Sequence, residues 1–159
     1  GQTEALMQVG AVDWARIIIL GSGAYYGLAC EAMLKIKEMA LSWAEAYHFL
    51  EFRHGPISLV DEDTLVVGLL TDTALDAERA VLAEVRELGG RTLASGKALR
   101  AVEGVADYPV PLDTVLPELV RGPLYVPPLQ VLAYSRARAR GLDPDRPRHL
   151  QSAIVLAGA

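Results

Sequence analysis

Three features of the sequence predict an open, parallel, three-layer α/β/α domain. Residues 16–20 (Arg-Ile-Ile-Ile-Leu) and 64–70 (Thr-Leu-Val-Val-Gly-Leu-Leu) are apolar runs too short for helices. They read as strands buried on both faces, the habit of parallel sheets. Each run is followed by turn residues, Gly21-Ser22-Gly23 and Thr71-Asp72-Thr73, and then by a stretch with helical apolar spacing. Strands that alternate with helices call for parallel pairing through helical crossovers.

The remaining elements follow in order. Residues 3–12 form a short helix with Leu6, Met7 and Val9 apolar. The helix after the glycine turn covers 25–42, with Ala29, Ala32, Met33, Ile36, Met39 and Ala40 in one stripe. Residues 43–49 are extended. Asp72 or Thr73 is placed to cap a helix over 75–88, which Gly89-Gly90 stops. Residues 91–95 and 107–110 are further strands. The helix over 128–140 carries Arg136, Arg138 and Arg140 near its C-terminus, where cations suit the dipole. A polar loop spans 141–150, and Ile154-Val155-Leu156 forms a short apolar tail.

At 159 residues the chain suits one domain with a single core. Hydrophobic residues make up 52%, which excludes disorder as the main state. A net charge of −5 with no extended basic block speaks against nucleic acid as a partner. The single cysteine, Cys30, rules out an internal disulfide, reads as a core residue and fits a reducing cytoplasm. No apolar run reaches the roughly 18 residues of a membrane span, and no signal peptide is expected. The chain starts at Gly1 rather than Met, as expected of a processed product or a piece of a longer polypeptide.

Three groups of residues could carry chemistry. Gly21-Ser22-Gly23, at the start of a helix, lets backbone N–H groups approach an anion. Locally a tight strand-to-helix turn is favoured over that reading. The third glycine, Gly27, is out of step with a dinucleotide fingerprint. Glu31, Lys35 and Glu38 share a helix face opposite the apolar stripe. On a generic helix they are a solvated face with an ion pair worth ~0.3–0.5 kcal/mol. His54 is held on a turn by Gly55 and Pro56, and a near-neutral imidazole suits proton transfer. An ordinary surface histidine is the alternative. No Cys/His spacing suggests a metal, and no cofactor is implied.

The motifs Gly21-Ser22-Gly23, Glu31-Ala32-Met33-Leu34-Lys35-Ile36-Lys37-Glu38 and Phe52-Arg53-His54-Gly55-Pro56-Ile57-Ser58 together resemble a sugar isomerase (SIS) domain. The closing segments at 128–134 and 141–150 fit the same resemblance. It is narrowest to the C-terminal SIS domain of the two-domain family that includes glucosamine-6-phosphate synthase and deaminase. The resemblance implies a flavodoxin-like or Rossmann-like sheet and places residues 1–159 as a single SIS domain, the C-terminal half of a two-SIS protein. It implies an amino-sugar 6-phosphate as substrate, Glu38 as the base that shuttles a proton between C1 and C2, and Lys35 as its assistant. It assigns ring opening to His54, contributed across a dimer interface. Gly21, Ser22, Gly23, Arg53, Thr71 and Thr73 are the substrate-binding candidates. The implied activity is a phosphosugar isomerase or deaminase that works as a homodimer or with a second SIS domain; a non-catalytic sugar-phosphate sensor or dimerisation module is the alternative. Ser152 stands where the synthase has an imine-forming lysine, which argues against glutamine-dependent synthesis. Thr71-Asp72-Thr73 sits at the family's phosphate loop but lacks its glycine and serines.

Overall fold

A computed structural model describes residues 1–150. Ser152 and the tail at 154–156 lie outside the described residues. Helix α1 (Gln2–Ala11) leads into strand β1 (Arg16–Gly21), helix α2 (Tyr25–Ala40) and strand β2 (Ala44–Tyr47). A short helix α3 (Phe49–Phe52) and a 3₁₀ turn (Pro56–Leu59) come next. Strand β3 (Thr64–Leu69), helix α4 (Leu75–Glu87), strand β4 (Arg91–Gly96), helix α5 (Leu99–Val102) and strand β5 (Tyr108–Pro111) follow. The chain closes through helix α6 (Glu118–Arg121), a 3₁₀ turn (Gly122–Tyr125) and helix α7 (Val126–Ala139).

The sheet has the order β2-β1-β3-β4-β5 and every pairing is parallel. Strand alternation divides the core in two. Ile17, Ile19, Leu65 and Val67 point to the face covered by α1, α2 and α7. Ile18, Leu20 and Val66 point to the face covered by α3, α4 and α5. Strands apolar on both sides are therefore what this layering requires. The edge strand β5 carries Pro109 and Pro111, residues that cannot donate to a further strand.

The stripe of α2 is buried at Ala29, Ala32, Ile36 and Ala40, with Met33 and Met39 packed against its margin. The helix ends two residues before the expected limit, because Leu41 turns left-handed at φ 49°. The extended stretch expected over 43–49 is shorter: β2 stops at Tyr47 and Phe49 begins α3, where Phe49 and Phe52 fill the second core. Neither α5 nor α6 was signalled by periodicity, since four residues are too few to show one. The capping expectation at Asp72 and Thr73 fails. Asp72 pairs with Arg121, and Thr71 Oγ1 accepts from the Ala74 N–H at 3.0 Å. Cys30 is half-buried rather than core.

Arg136 also departs from its expected role. It is 1% exposed, and its guanidinium donates to Ser42 Oγ (3.0 Å), Asp13 Oδ1 (2.9 Å) and the carbonyls of Trp14 (2.8 Å) and Val12. It ties α7 to the turn after α1 and to the turn after α2. Arg138 and Arg140 are exposed.

Candidate active site

Glu31, Lys35 and Glu38 share the outer face of α2. Lys35 Nζ lies 3.0 Å from Glu38 Oε2 and 3.7 Å from Glu31 Oε1. The hydrogen bond to Glu38 raises the Lys35 ammonium above its ordinary value, so Glu38 faces a permanent cation at neutral pH. The Glu38 side chain is 27% exposed, partly sheltered but open to a ligand. Beside it, Met39 and Leu41 at the end of α2 meet Leu142, Asp143, Arg146, Pro147 and Arg148 of the closing loop around a cleft of about 110 Å³. Two guanidinium groups thus enter the neighbourhood of the Glu31–Lys35–Glu38 stripe. Tertiary packing produces this cleft, because α7 runs antiparallel to the strands and delivers residues 141–150 to the end of α2.

His54 is elsewhere. It is exposed, and its N–H bonds the Glu51 carbonyl at 3.0 Å to close the turn after α3. Phe52 anchors that turn in the core under α4, and Arg53 ion-pairs with Glu84 of α4. Helix α2 packs on the opposite face of the sheet. Among the described residues no hydrogen bond or ion pair joins His54 or Arg53 to Glu38 or Lys35.

The other candidates gather at the carboxyl ends of β1 and β3. In the strand order 2-1-3-4-5 this is the topological switch point, where open α/β sheets place ligands. Gly21 is there because the first turn of α2 comes too close for a side chain. A Cβ at Gly21 would sit 2.4 Å from the Tyr25 carbonyl oxygen. Gly23 supplies the positive φ, +53°. The N–H groups of Tyr25, Tyr26 and Gly27 bond the carbonyls of Ser22, Gly23 and Ala24, so the turn uses its own donors.

The turn after β3 is equally occupied. The Thr71 N–H and Oγ1 bond the buried Glu78 carboxylate at 2.7 and 3.0 Å. Burial raises the Glu78 carboxyl above the ordinary glutamate value, while hydrogen bonds from Ser22 and Thr71 pull the other way. The N–H groups of Asp72 and Thr73 and the Thr73 hydroxyl converge on Glu118 Oε2 at 2.7, 3.0 and 3.0 Å. Asp72 takes both terminal nitrogens of Arg121, which is fully buried, at 3.0 and 2.7 Å. Burial opposes the Arg121 charge, but Asp72 together with Tyr25 and Tyr125 outweighs it and raises the guanidinium pKa. The same Arg121 bond is the main cause holding the Asp72 carboxyl below its ordinary value.

Sequence reasoning missed Glu78, Glu118 and Arg121. Glu78 had a signal, since it occupies the apolar stripe of α4 with Val81, Leu82 and Val85. Glu118 and Arg121 had none, being distant in sequence from the turn they serve. A cavity of about 550 Å³ between α1 and β5 is lined mainly by Leu6, Val9, Leu99, Tyr108 and Val110. It lacks convergent polar groups, because its single carboxylate, Asp107, is bonded to Thr92. No group of three or more His, Cys, Asp or Glu side chains is placed to hold a metal among the described residues. No helix among them is long and apolar enough to cross a membrane.

This chain belongs to the SIS domain family: residues 12–98 match the family model. It is similar to the glutamine--fructose-6-phosphate aminotransferase [isomerizing] of Gluconobacter oxydans, with 38% identity over 143 residues. That match covers 88% of this chain and 23% of the relative. The Vibrio cholerae protein of the same name is 34% identical over 156 residues, 98% of this chain and 25% of its own length. The chain therefore spans about a quarter of the curated relatives it matches. Among solved structures it is similar to the glucosamine-6-phosphate deaminase of Thermotoga maritima, with TM-score 0.79 and 31% identity over 98% of this chain and 46% of that one. The C-terminal domain of glucosamine-fructose-6-phosphate aminotransferase from Francisella tularensis gives TM-score 0.79 and 32% identity, covering 91% of this chain and 42% of that one. The tagatose-6-phosphate ketose/aldose isomerase of Escherichia coli gives 0.78 and 27%, covering 99% and 43%.

Proposed function

We propose that this chain is the catalytic SIS unit of an amino-sugar-phosphate deaminase or aldose–ketose isomerase, acting in a dimer or beside a second SIS unit in the same polypeptide. The observation that carries the reading is the part-sheltered Glu38 carboxylate, held beside Lys35 at a cleft rimmed by Arg146 and Arg148. Relatives named as deaminase, aminotransferase and ketose/aldose isomerase share the fold and support the substrate class.

The chemistry follows from the residue types. On the open-chain 2-amino aldose, Glu38 removes the proton from C2; the C–H electrons form a C1=C2 double bond, the C1=O π electrons move to O1, and O1 takes a proton from solvent, giving an enolamine. The Glu38 carboxyl then returns the proton to C1, leaving a C2 imine. Water adds to the imine and ammonia departs, leaving the ketose phosphate. A ketose/aldose isomerase uses the same two proton transfers without the hydrolysis. Lys35 sets a positive charge 3.0 Å from the carboxylate that takes and returns the proton. The ring must open first. His54 takes this role from a neighbouring copy, because within one chain it stands on the other side of the sheet from α2. The phosphate is gripped by the partner SIS unit, since the donors of the Thr71–Thr73 turn are already used.

The test uses the polypeptide that carries this domain. It should convert glucosamine 6-phosphate to fructose 6-phosphate and ammonia. Glu38→Gln should lower kcat at least about 100-fold, as expected for loss of a general base, with sugar-phosphate binding retained. Mixing Glu38→Gln with His54→Ala subunits should restore activity, because each mixed dimer rebuilds one intact site. Full turnover by Glu38→Gln would refute the assignment. Binding without turnover in the unmutated protein would favour a sugar-phosphate sensor instead.

A further inference from the structure

We propose that Leu41 keeps water out of the Glu38 cleft, so that the proton taken from C2 is delivered to C1 instead of being lost to solvent; this rests on the role proposed above for Glu38. Leu41 closes α2 with its N–H bonded to the Lys37 carbonyl at 3.1 Å, then turns left-handed at φ 49° and ψ 35°. A side chain costs steric free energy in that region, so glycine or asparagine is usual where a helix ends this way. Among the described residues only Leu41 and His149 combine a side chain with positive φ.

The fold accounts for the conformation but not for the side chain. The left-handed turn takes the chain out of α2 and sets Ser42 Oγ where Arg136 Nε donates to it at 3.0 Å. Glycine makes the same turn without strain. The Leu41 side chain is 36% exposed, and it belongs neither to the two core clusters nor to the partly buried residues packed against them. Strain kept at a residue that the core does not use marks a role outside the core.

Its position supplies that role. Leu41 lies three residues beyond Glu38, a spacing that brings two residues to one side of a helix. Both line the cleft of about 110 Å³, and Leu142 of the closing loop is the other leucine on its wall. Arg146 and Arg148 give the cleft its cationic part, and the two leucines give it an apolar one. While the enolamine lives, the proton from C2 rides on the Glu38 carboxyl, and it exchanges with any water that reaches that group. An apolar wall beside the carboxyl excludes that water and prevents the leak. Glycine at 41 would open the wall, and asparagine would replace it with an amide that brings water in.

The experiment gives the polypeptide that carries this domain glucosamine 6-phosphate deuterated at C2, in ordinary water. Deuterium at C1 of the fructose 6-phosphate is read by mass spectrometry early in turnover. The unmutated protein should carry part of the label to C1. Leu41→Gly and Leu41→Asn should each lower the carried fraction at least about twofold. Leu41→Met keeps an apolar side chain of similar volume and should carry the label as the unmutated protein does. The Tm of Leu41→Gly and of Leu41→Asn should fall by no more than about 3 °C, because relief of strain offsets the lost contacts. A Tm loss beyond that in both variants would mean that the fold itself needs the leucine, and would overturn the proposal. So would an unmutated protein that carries no label. Absence of turnover in the unmutated protein refutes the role of Glu38 and this proposal with it. Turnover with the label unchanged in Leu41→Gly and Leu41→Asn refutes this proposal alone.

Discussion

Replacing Arg136 with methionine removes a buried five-donor group but keeps the apolar stem that packs between α7 and the sheet. Its cost can be worked from the acceptors it leaves behind. The Trp14 carbonyl, bonded at 2.8 Å in buried surroundings, loses its partner, which costs about 1–3 kcal/mol. The Val12 carbonyl is only part-buried and keeps the Trp14 N–H at 2.9 Å, so its loss of Arg136 adds little. Asp13 is 91% exposed, so losing that ion pair costs about 0–1 kcal/mol. Relief works the other way: burial lowers the Arg136 pKa, a sign that the guanidinium is incompletely compensated for its lost water. The net expectation is a loss of about 3 kcal/mol, or about 6–12 °C in Tm for a chain of this size. Urea denaturation with a shared m-value measures it. Arg138→Ala is the control, an exposed position two residues away that should stay within about 0.5 kcal/mol. If Arg136→Met costs no more than Arg138→Ala, the clamp is irrelevant to stability and the reasoning fails.

Two further outcomes are expected. Glu78 has a folded-state pKa raised above 4.5 by burial, so its ionisation costs the fold stability as pH rises from that value through the raised one. The stability of Glu78→Gln relative to the unmutated chain should therefore climb from about pH 4 toward neutrality and then level off; a difference that stays flat with pH would refute the burial argument. Alanine substitutions should rank Gly21 worst, then Gly23, with Gly27 neutral or stabilising. The Gly21 Cβ meets backbone at 2.4 Å, Gly23 has φ +53°, and Gly27 faces open space. The expected effects in chemical denaturation are losses of about 1–3 kcal/mol at Gly21 and about 1–2 kcal/mol at Gly23, and a gain of about 0.5–1 kcal/mol at Gly27.

The two substitution series separate what neighbours in sequence determine from what neighbours in space determine. By itself the sequence determined the layering. Ile17 to Leu20 and Leu65 to Leu70 carry no polar side chain at successive positions, which only a strand covered on both faces can bury. The stripe Ala29, Ala32, Ile36, Ala40 has a helical period, which also puts Glu31, Lys35 and Glu38 on one outer face. The Gly21-Ser22-Gly23 break marked where β1 hands over to α2. These readings depend on backbone periods that repeat within a few residues, so they need no knowledge of the rest of the chain.

Only the tertiary structure decided which polar groups meet. Arg136, Arg138 and Arg140 look alike in sequence, yet packing turns the first inward onto Trp14 and Asp13, leaves Arg138 exposed and lets the exposed Arg140 reach Ser42 Oγ at 3.4 Å. Thr71-Asp72-Thr73 reads as a turn open to a ligand, and Glu118, some 45 residues on, fills it. Glu38 and His54 are 16 positions apart, yet the sheet separates the helices beside them. Hydrogen bonds and charges are satisfied by whatever the fold brings within about 3 Å, and that distance is set by strand order and helix direction, which no local pattern encodes.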